Sequence, residues 1–318
     1  MTWLVEQGIG EERALRYKNG HATAARVRWP GSLEAGLIAD AVLVERGQGS
    51  ARGRARFAGG EEALVERLPR EASIGAPIRL EVTRAAMREA RRVKPAHARP
   101  SDDPPREAPT LAEQLGGEVV RRFPDNAWDE IWAEAADGVV AFPGGSLHFA
   151  ATAAMTLVDI DGTLPPRALS LAAARPLALA VQRFGLGGSI GIDFPTLPAR
   201  DDRKAIDAAL ARALDGWDHE RTAMNGFGFI QLVARSERPS LLHRLQFDPA
   251  PAAARLLLRQ AEGLDAAGTV LLTASDKVLR QIPPEWTEEL GRRTGRTVRV
   301  APDPSLATTG GHAQIVAR

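Results

Sequence analysis

Residues 155–163 read Met-Thr-Leu-Val-Asp-Ile-Asp-Gly-Thr, and residues 189–195 read Ser-Ile-Gly-Ile-Asp-Phe-Pro. Each stretch is a short apolar run that ends in an aspartate, which is typical of a buried strand reaching the edge of its sheet. The segment between them, 167–184, has apolar residues at helical spacing. This strand–helix–strand unit predicts two parallel strands joined by a right-handed crossover.

The aspartates at the two strand ends, Asp159 and Asp193, are therefore expected to converge. In an open α/β sheet the carboxyl ends of the strands form the ligand crevice, and Asp161 shares a face with Asp159 because side chains alternate along a strand. Two or three carboxylates with open positions suit Mg²⁺ or Mn²⁺. An aspartate after a strand can also cap the next helix or end a turn, so spacing alone leaves both interpretations open.

Outward from this unit, the composition divides the chain into three parts. Residues 1–106 contain short strand-like pieces and an Asn-Gly hairpin turn at 19–20, which predict a β-rich region with a barrel at about 33–85 and a proline-rich linker. Residues 107–243 alternate predicted helices and strands, and residues 244–318 indicate a small α+β module. The expected fold class is a multidomain α+β and α/β protein.

The distribution of charge is more informative than its sum. The 318 residues carry a net charge of +1, yet six basic residues and one acid lie between Thr83 and Arg99. Such a run is a solvated face or a flexible arm, or it contacts a nucleic-acid backbone. The candidates for phosphate contact are Arg84, Arg88, Arg91, Arg92 and Lys94.

Several classes of chemistry are excluded by residues and motifs that the sequence lacks. The chain has no cysteine, which removes disulfides, thiol nucleophiles and cysteine-ligated zinc. It has no Walker motif and no Gly-x-Ser-x-Gly, and its six histidines show no metal-ligand spacing. The start of the chain lacks the pattern of a signal peptide and no apolar stretch is long enough to span a bilayer, so we expect a cytoplasmic protein with no membrane partner.

Several motifs together resemble one known family. Residues 158–163 are similar to that family's metal strand, Ile-Asp-Val-Asn-Ser-Gly, and residues 187–194 to its Gly-Gly-Leu-Ile-Val-Ile-Asp-Phe. Residues 143–147 resemble its glycine hairpin, and Arg-Pro-Ser-Leu at 238–241 matches the family motif of the same letters. On these motifs, in the same order and at similar spacing, residues 128–243 resemble the ribonuclease E/G family.

The resemblance implies an endoribonuclease that cleaves single-stranded RNA in RNA processing or decay. Asp159 and Asp193 correspond to the family's metal carboxylates, and the implied chemistry is attack of water on the phosphodiester, activated by an aspartate-bound Mg²⁺. Asp161 stands where the family has asparagine, and this departure adds charge at the metal site.

A further motif, Asp-His-Glu-Arg-Thr at 218–222, resembles the family's Asp-Arg-Ala-Arg. The match implies that Arg221 contacts the scissile phosphate, for which a guanidinium is well suited. An ion pair of Arg221 with Glu220 or Asp218 is the alternative.

The N-terminal third resembles, by pattern only, the family's split first domain with an inserted oligonucleotide-binding barrel. Phe57 in this part is flanked by arginines, so it is a candidate either for stacking a base or for the barrel core. Only about thirty residues separate the barrel-like region from Trp128, too few for the family's subdomain that senses the 5′ end. It also lacks the cysteines of the family's zinc link, so we expect no zinc, and a homo-oligomer would not be bridged by it.

Two other functions remain open at this point. One is a non-catalytic RNA-binding protein derived from the same family, and the other is a small-molecule phosphohydrolase that uses the same carboxylates. The nuclease hypothesis predicts that Asp159, Asp161, Asp193 and Arg221 converge within reach of one metal ion, and this convergence is the observation that would distinguish it.

Overall fold

The first strands of the chain form an antiparallel meander. In the computed structural model, which describes residues 2–89 and 92–317, these strands are β1 (Thr2–Gly8), β2 (Glu11–Lys18) and β3 (His21–Arg28). The turn between β2 and β3 has positive φ at Asn19 (53°) and Gly20 (77°), as in the two-residue turns whose twist suits a hairpin. The hairpin predicted from this Asn-Gly pair is confirmed.

A closed five-stranded barrel follows. Its strands are β4 (Ile38–Arg46), β5 (Gly53–Phe57), β6 (Glu62–Val65), β7 (Pro77–Arg84) and β10 (Ala96–Pro100). Two short paired strands, β8 (Met87–Glu89) and β9 (Arg92–Lys94), are inserted between β7 and β10. The order around the barrel is β10-β6-β5-β4-β7, in which β10 is parallel to β6 and antiparallel to β7. Alternate side chains such as Leu43, Ala55 and Val65 point inward and form its core.

The barrel extends further along the chain than the predicted 33–85. Its closing strand, β10, lies in the segment whose basic residues indicated a solvated face or an arm. Ala96 and Ala98 point into the barrel and are each 1% exposed, whereas Arg99 stays outside. Backbone hydrogen bonds of 2.9 Å run in both directions between Ile38 and Arg106, so the chain enters and leaves the barrel side by side.

A six-stranded sheet carries the two aspartate strands. The elements of this central part are α1 (Leu111–Leu115), β11 (Glu118–Val120), α2 (Ala127–Asp137), β12 (Val139–Phe142), β13 (Gly145–Ala151), β14 (Thr156–Gly162), α3 (Pro166–Arg183), β15 (Gly188–Asp193), α4 (Arg200–Ala213), β16 (Glu220–Arg221) and β17 (Phe229–Ala234). The sheet order is β12-β13-β14-β15-β17-β16. The strands β14 and β15 are parallel and joined through α3, as the sequence predicted.

Helices cover one face of this sheet and leave the other face open. Val158, Ile160 and Ile192 point to the covered face, where they pack in one core with Leu177 of α3. The alternate residues of β14, among them Asp159, point to the open face and are exposed. Strand alternation thus buries Val158 and Ile160 on one face and places both aspartates, together with Leu157, on the other.

The N-terminal strands belong to the same packed unit as the central sheet. Leu15 of β2 and Val27 of β3 share the core of the six-stranded sheet, and β11 pairs in parallel with β1. The barrel residues form a separate apolar cluster. The barrel is therefore an insertion into a unit that begins before it and continues after it.

The last part of the chain is a small α+β arrangement. Its elements are α5 (Leu241–Phe247), α6 (Pro249–Glu262), β18 (Thr269–Ala274), α7 (Asp276–Leu279), α8 (Pro284–Thr294), β19 (Val298–Pro302) and β20 (His312–Val316). The three strands form a sheet in the order β19-β18-β20. In the described ranges, no helix combines the length and the apolar character needed to cross a membrane. The mixed α+β class with a small barrel, expected from the sequence, is confirmed at this level.

Candidate metal centre on the open face of the sheet

Two carboxylates lie side by side on the open face of the six-stranded sheet. In the parallel pairing of β14 with β15, Asp159 is the register partner of Asp193. Neighbouring strands are about 4.8 Å apart, and both aspartates are exposed. The predicted convergence of these two residues is confirmed, because the parallel crossover brings both strand ends to the same edge.

The third aspartate shares their face. Asp161 lies two residues beyond Asp159 on β14 and is also exposed. One oxygen of Asp159 accepts a hydrogen bond from the backbone N–H of Ile160 at 3.0 Å, and one oxygen of Asp161 accepts from Gly162 at 2.8 Å. These bonds orient the carboxylates and leave each of them a second oxygen. Among the described residues, no group of three or more His, Asp or Glu side chains is arranged to hold a metal ion, so the close unit is the Asp159–Asp193 pair.

A serine and a histidine that the sequence analysis did not single out lie beside the aspartates. On the antiparallel strand β13, Ser146 is paired with Asp161 and His148 with Asp159. The Ser146 hydroxyl and the His148 Nε2 are 2.8 Å apart and share a hydrogen bond. The available signal was the alternation of Ser146 and His148 with the buried residues Leu147 and Phe149 in the hairpin that precedes the aspartate strand.

Arg221 does not join the carboxylates, contrary to expectation. It is paired in β16 with the buried Leu232, and its side chain therefore turns toward the helix-covered face. There its guanidinium donates to both oxygens of Asp207 in α4, at 2.5 and 3.3 Å. The ion pair considered from the sequence involved Glu220 or Asp218, both close in the chain, whereas the actual partner, Asp207, lies on helix α4.

Phe57 is a core residue of the barrel, and the structure corrects its assignment as an RNA-stacking side chain. It is 6% exposed and packs with the other inward residues. On the same strand, Arg54 and Arg56 point outward, where both bind Glu62. Because side chains alternate, two outward arginines require an inward phenylalanine.

The described basic residues between β7 and β10 lie on two paired strands, β8 and β9, and not on a free arm. Arg88 pairs with Asp248 at 2.7 Å, and Arg92 pairs with Glu89 at 2.8 Å. Lys94 also contacts Glu89. Burial opposes ionisation of Glu89, but hydrogen bonds from Lys94 and Arg92 outweigh it and hold its pKa below the ordinary value. Much of the positive charge in this segment is thus compensated.

The other two candidates for phosphate contact in this segment are Arg84 and Arg91. Arg84 is half-buried, donates to the carbonyl of Pro95 at 3.2 Å, and has a pKa lowered by burial. Arg91 lies outside the described residues. The hairpin is attached to the central part by a hydrogen bond of 2.9 Å from Ala85 N–H to the carbonyl of Glu237.

The motifs that resemble ribonuclease E/G converge in part. The hairpin turn at 143–145 connects β12 to β13, next to the strand of Asp159. In the Arg-Pro-Ser-Leu motif, Ser240 caps α5 by accepting a hydrogen bond from His243 N–H. Comparisons with known proteins add no relative, since no protein-family model matches this chain and a search of curated proteins finds no match to it.

Proposed function

We propose that this chain is a metal-dependent endoribonuclease that cleaves single-stranded RNA. The observation that carries the proposal is the parallel register of Asp159 with Asp193, which sets two exposed carboxylates side by side on an open sheet face. Asp161 adds a third negative group to that face. The resemblance of these two strands to the metal strands of the ribonuclease E/G family supports the same role for the same residues.

The donor set fits a hard divalent cation such as Mg²⁺. In proteins this ion commonly binds one or two carboxylates, retains several waters and takes further oxygens from phosphate groups. Asp159 and Asp193 supply the two carboxylates. In the described part of the chain, neither forms a salt bridge, although Asp202 and Asp207 of α4 do. An ion would therefore not have to displace a basic side chain.

Four polar residues of the open face have a definable part in the reaction. Asp159 and Asp193 would hold Mg²⁺ or Mn²⁺, which when bound polarises a phosphodiester and activates water. Ser146 and His148 present hydrogen-bonding groups beside the carboxylates and can orient a phosphate oxygen or a ribose hydroxyl. The exposed face itself admits an extended strand without an enclosed pocket.

We assign the barrel the role of gathering the RNA. Its third strand, β6, pairs in parallel with its fifth, β10. Strand β10 also pairs with the fourth strand, β7, and so closes the barrel. This arrangement supports an oligonucleotide-binding barrel, in which the second and third strands and the loop between the last two contact nucleic acid. Here that loop is the β8–β9 hairpin. The hydrogen bond from Ala85 N–H, just before this hairpin, to the carbonyl of Glu237 favours a continuous path from the barrel to the central part.

A non-catalytic RNA-binding protein is the second candidate, and the position of Arg221 favours it. The guanidinium expected at the scissile phosphate is occupied by Asp207 on the other face. Without a cation at that point, charge that develops on the phosphate depends on the metal ion alone. The two candidates make the same prediction for binding and opposite predictions for cleavage.

The deciding experiment compares cleavage of a labelled single-stranded RNA with Mg²⁺ and with a chelator. We expect Mg²⁺-dependent products from the wild-type chain, and we expect Asp159→Asn and Asp193→Asn to abolish them while RNA binding persists. Asp201→Asn is the matched control, because Asp201 has a side chain that is 96% exposed and lies outside the proposed site. Wild-type binding without cleavage would favour the second candidate, and near-normal cleavage by either site variant would refute the assignment of the site.

A further inference from the structure

An exposed aromatic side chain lies in a turn at the sheet edge that carries the carboxylates. Phe227 lies in the turn before β17 and is 81% exposed, the highest value among the large apolar side chains of the described residues. The next aromatic residue, Phe229, is the register partner of Asp193. Asp159, Asp193 and Phe229 thus lie on three adjacent strands of the sheet, β14, β15 and β17, with their backbones within about 10 Å of one another.

The turn that presents Phe227 is fixed by its own hydrogen bonds. The side-chain oxygen of Asn225 accepts from the N–H groups of Phe227 at 2.9 Å and Phe229 at 3.0 Å. The backbone N–H of Asn225 donates to the carbonyl of Phe229 at 3.0 Å and closes the turn. Phe227 is consequently held out from the surface by a formed turn and does not project from a loose loop.

The same turn is anchored against the residue that follows Asp193. The backbone N–H of Phe194 donates to the carbonyl of Gly228 at 3.2 Å. Gly228 has a φ of +91°, and a Cβ there would lie 2.5 Å from the carbonyl oxygen of Phe194. Only glycine allows this close approach, so the sequence Phe227-Gly228-Phe229 sets an aromatic side chain at the edge that carries Asp193.

Phe229, two residues after Phe227 in the chain, forms an apolar floor on the open face of the sheet. Its Cζ atom would be 2.5 Å from a Cβ placed on Gly191, which shows that its ring lies over the glycine of the neighbouring strand. Leu157 and Val233, 40% and 45% exposed, continue the apolar surface on the same face. A patch of aromatic and aliphatic groups therefore borders an acidic edge.

We propose that Phe227, with Phe229 as the floor, stacks one unpaired nucleobase of the RNA next to the phosphodiester at Asp159 and Asp193. This inference rests on the proposed function and names how the substrate is held there. Exposed carboxylates repel a phosphate backbone, so a strand approaching this face needs attraction that does not depend on charge. Stacking on an aromatic ring supplies it for any base, because every base has a π face.

The test is a binding measurement that does not require cleavage. A fluorescein-labelled single-stranded RNA of about ten nucleotides, within the site size of single-strand-binding barrels, is titrated with full-length protein in a chelator and then in Mg²⁺. We expect Phe227→Ala to weaken binding about tenfold, which corresponds to about 1.4 kcal/mol, and Phe227→Trp to retain it. The matched control is Val300→Ala, which removes another exposed apolar side chain (47% exposed) in β19, outside both the barrel and the six-stranded sheet.

A set of RNAs that each lack one base identifies the stacked position. One abasic position should weaken wild-type binding and have no further effect on Phe227→Ala, whereas the slope of affinity against salt should be the same for both proteins. Equal affinity of wild type and Phe227→Ala would overturn the inference, as would an abasic effect that persists in the variant. If the wild type binds and the stacking effect is present but nothing is cleaved, the inference stands and the proposed nuclease activity fails. If the wild type cleaves and Phe227→Ala binds normally, the reverse holds.

Discussion

The pairing of Asp159 with Asp193 predicts a measurable conflict between stability and function. Two carboxylates on adjacent parallel strands are about 5 Å apart at the backbone. Because both are exposed, the dielectric constant of water applies, and their repulsion is about 0.8 kcal/mol before screening by salt. Neutralising either one should remove the whole of this repulsion. We therefore expect Asp193→Asn to stabilise the metal-free protein by up to about 0.8 kcal/mol.

The assay is urea unfolding at low salt in a chelator, with the transition midpoint as the readout. Asp159→Asn and Asp193→Asn should each raise the midpoint, and the double variant should gain no more than one of them, because the single repulsive pair is already gone. Mg²⁺ should raise the unfolding temperature of the wild type and leave both single variants nearly unchanged. Strict additivity of the two substitutions, or equal Mg²⁺ protection of all the proteins, would refute the idea that these side chains share one site.

Three further predictions follow from contacts described above. Arg221→Ala should lower stability by about 1–2 kcal/mol, since its charged hydrogen bonds to Asp207 are only partly exposed, and a double cycle with Asp207→Ala measured by urea unfolding should show strong coupling. Phe57→Ala should cost about 3–5 kcal/mol by leaving a cavity in the barrel core, and calorimetry should show a weakened barrel transition. Burial lowers the pKa of His243 below its ordinary 6.5, so the unfolded chain takes up the proton first: stability should be full above about pH 6.5 and fall as the pH drops below it, and His243→Gln should flatten that dependence in unfolding curves.

The central strands could be predicted from sequence because they combine two independent signals. The first signal is the run 155–161, which has apolar residues on both faces of the strand and aspartates at its end. The second is the long helix that follows, because a helix between two neighbouring strands indicates a parallel crossover. The convergence of Asp159 and Asp193 at one edge of the sheet then follows from the chain direction, and their exact register is seen only in the structure. No side-chain conformation had to be known.

Arg221 could not be assigned in the same way. Its strand, β16, has two residues, so no alternation within the strand defines which of them faces the helices. The pairing with Leu232 decides this, and it is a contact between segments. For Phe57 the sequence did contain the needed information. Arg54 and Arg56 point outward from their strand, so the alternation of side chains places Phe57 inside the barrel.

The closing barrel strand, β10, was hidden by its composition. Ala96 and Ala98 are small, and the residues between and after them are polar, so the segment carries little apolar signal. The barrel accepts small residues at this point because larger side chains from the other strands fill its interior. A strand of this kind is recognised by the partners it pairs with.

The side-by-side entry and exit of the barrel at Ile38 and Arg106 have a consequence for synthesis on the ribosome. All five barrel strands emerge before β11 and before the helices that cover the central sheet. The barrel can therefore fold before the central elements that bury Leu15 of β2 and Val27 of β3 have been synthesised. The early strands of the chain are thus among the last to reach their final packing, and a barrel that closes slowly would prolong the time during which they are open to wrong partners.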